Sequence, residues 1–278
     1  GNFSNILMIA FKDFDESYRF SLLSLRHLEK HDAQICKGNV YLNFGVGVSS
    51  LKKPYSTSIY YLKQLQKTYP DDSLHRLYNA TASTYVLTFM YFQGVDLQAL
   101  KAECMDYKQT LEVTNNEVPK QYVKELLYWI EVLGNPKEHI DWRLPVTVKS
   151  RTSFWENHLT LRLQMSYLLF EQQQAEYFIQ KLKEYQVNSV ATINQPHFYF
   201  YNALWQFRKL EDAHLKKEKS AIWKEIKYCL KKIDMYAKNN PQNFEHFSVL
   251  IKALFYQHTT QIKKAQFHFN HAIQLAKL

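Results

Sequence analysis

Glycine and proline are scarce in this chain, at 6 and 7 of 278 residues. Sheets and long loops draw on those residues for their turns, whereas helix interiors exclude them. The scarcity therefore predicts an almost wholly helical protein. No run of 18 or more apolar residues occurs, so no transmembrane helix is expected. The apolar start, Gly1–Phe11, lacks the basic residues and the small-residue cleavage site of a secretion signal. Cys36, Cys104 and Cys229 are far apart and form no CxxC pair. They read as free thiols of a reducing, cytoplasmic protein. With glycine only at positions 1, 38, 45, 47, 94 and 134, no GxxxxGK[ST] phosphate loop, GxGxxG turn or GxSxG elbow can be written. HExxH is missing as well. Nucleotide, cofactor and metal sites, and enzymatic catalysis, are accordingly not expected.

What the chain does have is apolar and aromatic mass in a repeating arrangement. Apolar residues make up 46% of it, with 20 Tyr, 18 Phe and 5 Trp, enough for a substantial core. Short amphipathic helices are predicted to start near Phe14, Pro54, Asp96, Gln173, Ala221 and Lys263, at gaps of 40, 42, 77, 48 and 42 residues. The long gap is about two units. A second, more aromatic helix precedes each of the later starts. Recurrence at this period marks a solenoid of helical hairpins, each unit burying its apolar face against its neighbours. The predicted fold is all-α, an α-α superhelix of about six hairpins over residues 1–278, with a break in the array at 135–146. There Pro136 and Pro145 bound the segment PKEHIDWRLP, which no regular long helix can include. Asp13 and Asp96 are placed to cap helices, and Gly94 suits a position just past a helix end.

The last helix reads KKAQFHFNHAIQLAKL. Ala265, Phe269 and Ala272 share one face, two small residues flanking a large one. This spacing lets the helices of a hairpin approach and fills the groove between them. Ala175, Ile179 and Leu182 repeat it, while Ser17, Ser21 and Ser24 keep only the small groups. It is the pattern of a tetratricopeptide repeat's second helix.

Beyond this pattern, PHFYFYNALW (196–205), WKEI with LKKIDMYAKNNPQNFEHFSVL (223–250), and the terminal AQFHFNHAIQLAKL resemble one family region. CKGNVYLNFG (36–45) and LLYWIEVLGNP (126–136) agree in order and spacing. The region is the tetratricopeptide-like array of very large bacterial signalling proteins. These join a protein-kinase-like domain, an AAA-type (STAND-like) ATPase, the array, a GAF domain and often a sensor histidine kinase. The resemblance implies a non-catalytic scaffold that contacts a protein partner or neighbouring domains of its own polypeptide. No catalytic residue carries over, because the family's catalytic motifs lie in other domains. The chain starts mid-pattern and ends on an uncapped amphipathic helix, so it is expected to be a piece of a longer array.

Charge offers the one candidate surface. The formal net charge is +9, and residues 208–238 hold ten Lys and Arg against five Asp and Glu. Lys224, Lys227 and Lys231 form one helical stripe opposite Ile222, Ile226, Cys229 and Ile233. The stripe is either the solvated side of an amphipathic helix or a dock for an acidic partner or a nucleic-acid backbone. Glu211, Asp212, Glu218, Glu225 and Asp234 offset half of the local charge, and the run His197–Tyr201 points all round its helix, as a core helix does. Nucleic-acid binding is the competing reading, and it predicts affinity that collapses with salt. An all-α enzyme is a third. Other clusters read as structural: His258, His268 and His271 lack the spacing of a metal site, and Glu138, His139 and Asp141 lack a nucleophile. Cys104, beside Lys101 and Glu103, reads as an inert thiol and Trp142 as a packing anchor.

Overall fold

The computed structural model describes residues 7–11, 13–31, 34–68, 73–112, 116–135, 140–143, 153–186 and 192–277. After a π-helical turn at Leu7–Phe11 come α1 (Phe14–His31) and α2 (Gln34–Asn43). Helix α2 widens into a π-helical turn at Phe44–Ser49 and closes with Ser50–Lys52. Then follow α3 (Tyr55–Thr68), α4 (Ser73–Phe92), α5 (Leu97–Glu112), α6 (Glu117–Gly134), α7 (Ser153–Leu168) and α8 (Gln172–Gln186). The last four are α9 (Asn194–Asp212), α10 (Lys216–Asn239), α11 (Pro241–His258) and α12 (Ile262–Leu275). The described residues contain no strand, so the fold is all-α.

Two compact units are present, Gly1–His158 with Val190–Thr192, and Leu159–Ser189 with Ile193–Leu278. In the first, consecutive helices from α1 to α6 pack pairwise, and α2 also touches α4, and α4 touches α6. In the second, α8 to α12 pack in sequence and α9 also touches α11. Contact with both the next helix and the next but one is how hairpins stack in a helical-repeat array. The division between units falls inside α7, beyond the proline segment at 135–146. Part of that segment, 136–139 and 144–146, lies outside the described residues, and 140–143 are not helical. Within the first unit Trp142 lies against Trp129, ring centroids 5.1 Å apart, which makes it a packing anchor.

Local chemistry explains the helix ends. Asp13 Oδ1 accepts from Glu16 N, and Asp96 Oδ1 accepts from Gln98 N and Ala99 N, satisfying amides that a first turn leaves open. Gly94 follows α4 at φ +74°. Val95 N donates to Met90 O and Gly94 N to Tyr91 O, a Schellman turn. The same pair of bonds closes α7 at Phe170 (Glu171 N to Ser166 O, Phe170 N to Tyr167 O) and α11 at Thr260 (Gln261 N to Tyr256 O, Thr260 N to Gln257 O). Phe170 and Thr260 take φ of 61° and 60°, a region that favours glycine. Three hairpins thus turn on one backbone motif. Phe170 has a reason to stay: the Arg208 guanidinium lies 4.1 Å from its ring centre and 3.7 Å from that of Tyr167, while Nη1 donates to Tyr167 O.

Small residues sit where helices come together. Ala265, Ala272, Ala175, Ser17 and Ser21 are buried, as are Ile179 and Leu182. A Cβ on Gly45 would stand 2.9 Å from Leu62 Cγ, so the π-helical turn after α2 approaches α3 this closely because glycine has no side chain.

One boundary differs from expectation. Helix α10 begins at Lys216, five residues ahead of the expected start at Ala221, so Lys216–Ser220 also belong to it. Its first buried residue is Ile222. The preceding turn is exposed all round and so carries no apolar period for a sequence reading to detect. With starts at residues 172, 216 and 262 the spacing of α8, α10 and α12 is nearly even.

Candidate functional site

Helix α10 buries Ile222, Ile226, Cys229, Ile233 and Tyr236 along one stripe. Lys224, Lys227 and Lys231 are exposed on the opposite side, as the periodicity required. The first two do more than face solvent. An open groove of about 630 Å³ runs between the first half of α10 and the end of α11, lined by Lys216, Lys219, Ser220, Trp223, Lys224, Lys227, Phe255 and Thr259. Its α10 wall has helical spacing from Lys216 to Lys227, a rise of about 16 Å at 1.5 Å per residue. Trp223 and Phe255 meet edge to face with centroids 5.2 Å apart, and Phe207 meets Trp223 from another side at 6.1 Å. Lys231, one turn beyond Lys227, does not line the groove. The site is therefore displaced toward the start of α10 relative to the predicted stripe. It also takes in Lys216 and Lys219, which lie ahead of the helix start expected near Ala221.

The remaining candidates resolve into packing. Phe198, Tyr199 and Phe200 are buried, and Phe200 stacks on Phe247 at 4.0 Å and 10°. Burial drives the His197 imidazole well below its usual pKa, with His246 adding to the effect, so it sits in the core uncharged. His258 stacks on Phe207 at 5.2 Å and His268 on Tyr256 at 5.1 Å. Among the described residues no three His, Cys, Asp or Glu side chains converge as metal ligands would. Asp141 holds Arg143 through both carboxylate oxygens at 2.9 Å, while Glu138 and His139 lie outside the described residues. Burial, and secondarily Glu103, push the Cys104 thiol up to about 12, far from a thiolate nucleophile.

The sequence reading missed the polar interior of α7. Residues 156–166 of this helix are all buried, yet they include Glu156, Asn157, His158, Thr160, Arg162, Gln164 and Ser166. From His158 on, polar and apolar residues alternate with period two, so no amphipathic face emerges and the helix reads as ordinary. In the first unit, His158 Nδ1 pairs with a Glu125 carboxylate oxygen, the other Glu125 oxygen accepts from Trp129 Nε1 at 3.3 Å, and Tyr122 packs edge-on to His158 at 5.5 Å. Burial pushes Glu156 up to about 7; the nearby Thr192 hydroxyl offsets only part of this. In the second unit, Gln164 Nε2 lies 3.4 Å from His197 Nδ1. These groups are enclosed and present no open face to a substrate. Compared with protein-family models, with curated proteins and with solved structures, the chain matches none.

Proposed function

We propose that this chain is a non-catalytic interaction scaffold whose stacked hairpins offer a surface to a protein partner or to neighbouring domains of the same polypeptide. The observation that carries the reading is the next-but-one contact of helices, α2 with α4 and α4 with α6 in one unit, α9 with α11 in the other. Stacked in this way, helix faces line up into an extended surface, the usual basis of binding by helical repeats. By its resemblance to the arrays of large bacterial signalling proteins, the chain serves as the repeat module of an ATPase- or kinase-containing regulator in the cytoplasm. No helix among the described residues is long and apolar enough to cross a membrane. Nucleic-acid binding finds less support, because residues 197–200 of the aromatic run are buried in the core and, among the described residues, no row of exposed aromatics lines the groove beside the lysines.

The test is site-specific photo-crosslinking in source cells from two exposed positions, Leu77 on α4 and Leu168 on α7. The expected result is a discrete protein adduct, or an internal link to another part of the same polypeptide, identified by mass spectrometry. Adducts to RNA or DNA, or no adduct at either position, would remove the scaffold assignment.

A further inference from the structure

The charge balance of the α10 groove is not the one written in the sequence. Of the five acids that offset residues 208–238, Glu225 faces the other way. Lys183 of α8 holds it at 2.5 Å and Asn202 of α9 at 2.8 Å. Burial alone would raise the Glu225 pKa, but the bonds from Lys183 and Asn202 outweigh it and the net shift is downward. Asp234 is likewise engaged by Lys252 at 2.8 Å and by the Ser248 hydroxyl at 2.5 Å. Glu211, Asp212 and Glu218 do not line the groove. Lys216, Lys219, Lys224 and Lys227 are left with no hydrogen bond or ion pair to a described residue.

Two features make this concentration of cations costly. Lys216 and Lys219 lie in the first turn of α10, where the helix dipole is positive and disfavours lysine, against the single acid of that turn, Glu218. Leu215, at the N-cap, gives that turn no side-chain acceptor, so its amides stay open to an anion. Lysines, open amides and dipole all place positive potential at one end of a groove whose floor is Trp223 and Phe255.

We propose that this groove docks an acidic peptide segment carrying one apolar anchor, the carboxylates meeting Lys216, Lys219, Lys224 and Lys227 and the anchor resting on Trp223 and Phe255. The assignment rests on the scaffold reading above and gives it a partner chemistry. An open groove of about 630 Å³ has room for a ligand much larger than a lone ion. A bare inorganic anion would leave the aromatic floor uncovered. Nucleic acid fits less well, since stacking needs open ring faces at successive positions. Here Trp223 is packed edge-on against both Phe207 and Phe255.

The experiment is fluorescence anisotropy on the whole chain with a labelled short peptide of Asp and Glu around a central Phe. Companion probes are the same peptide with Ser for Phe, a single-stranded oligonucleotide of equal charge, and inorganic phosphate as competitor. Two triple variants are compared: Lys219→Glu/Lys224→Glu/Lys227→Glu in the groove, and Lys30→Glu/Lys67→Glu/Lys263→Glu at exposed sites elsewhere. Circular dichroism confirms that both fold. The groove variant is expected to weaken the peptide about tenfold or more, and the distal variant, with the same net charge, far less. Replacing the peptide's Phe is expected to cost about tenfold. Equal losses in the two variants, indifference to the anchor, tighter oligonucleotide binding, or full competition by millimolar phosphate would each overturn the proposal. If the peptide fails to bind while Leu77 and Leu168 still crosslink a protein, only the groove assignment falls. If crosslinking fails too, the scaffold reading falls with it.

Discussion

Gly94 and Gly134 offer a test in which sterics cancel and only backbone conformation remains. Both belong to the first unit, and a Cβ added at either would meet nothing within 4 Å. They differ in one respect: Gly94 has φ +74° at the turn after α4, while Gly134 ends α6 without a positive φ. Giving Gly94 a Cβ costs roughly 1–2 kcal/mol in the left-handed region. The smaller conformational freedom of unfolded alanine returns about 0.4–1 kcal/mol. Gly94→Ala should therefore destabilise by about 1 kcal/mol. Gly134→Ala gains the unfolded-state effect with no penalty and should stabilise by about 0.4–1 kcal/mol. Urea unfolding followed by far-ultraviolet circular dichroism measures both. The reasoning fails if Gly94→Ala is as stable as the parent or Gly134→Ala is less stable, because no contact is available to explain either result.

Three further outcomes follow from the same structure. Thr260→Gly should stabilise by about 0.5–1 kcal/mol, since Thr260 is β-branched at φ 60° and its hydroxyl bonds only to Thr259 O; unchanged or lower stability in urea would contradict the strained turn. Gly45→Ala should destabilise by about 1–3 kcal/mol by driving a methyl into the fully buried Leu62, and it should do so at unchanged helix content. The Glu156 pKa is raised from 4.5 to about 7 by burial, so the protonated form is the one the fold favours. Stability is then fully present below pH 4.5 and lost as pH rises toward 7. Glu156→Gln should remove that loss, standing about 3 kcal/mol above the parent at pH 8 with the gap closing in acid. Parallel pH profiles for the two proteins would refute a buried, neutral Glu156.

How much of this was legible beforehand depends on how local the cause is. The span Phe14–His31 emerges in the structure as the apolar period and Asp13 prescribe, because a helix's period and caps are local chemistry. Gly94 closes α4 for the same reason. The small residues at 265 and 272 are buried as their spacing implied, since a seven-residue interval returns to one helix face. The start of α10 was not legible, because its first turn has no apolar face. Nor was the interior of α7, whose alternating polar residues resemble a surface pattern until neighbours enclose every side.

The groove shows the same limit in electrostatics. Composition alone settles that residues 208–238 carry twice as many cations as anions, and periodicity alone places Lys224, Lys227 and Lys231 on one exposed stripe. Which of those charges are free depends on partners far along the chain. Lys183 draws Glu225 to the opposite side of α10, and Lys252 takes Asp234. Phe255, from the next helix, supplies half of the aromatic floor. Helix positions and faces were set by nearest neighbours in sequence. The uncompensated charge and the cavity beside it arise only where three helices, α8, α10 and α11, bring distant side chains within a few ångströms, the range over which ion pairs form and apolar surfaces meet.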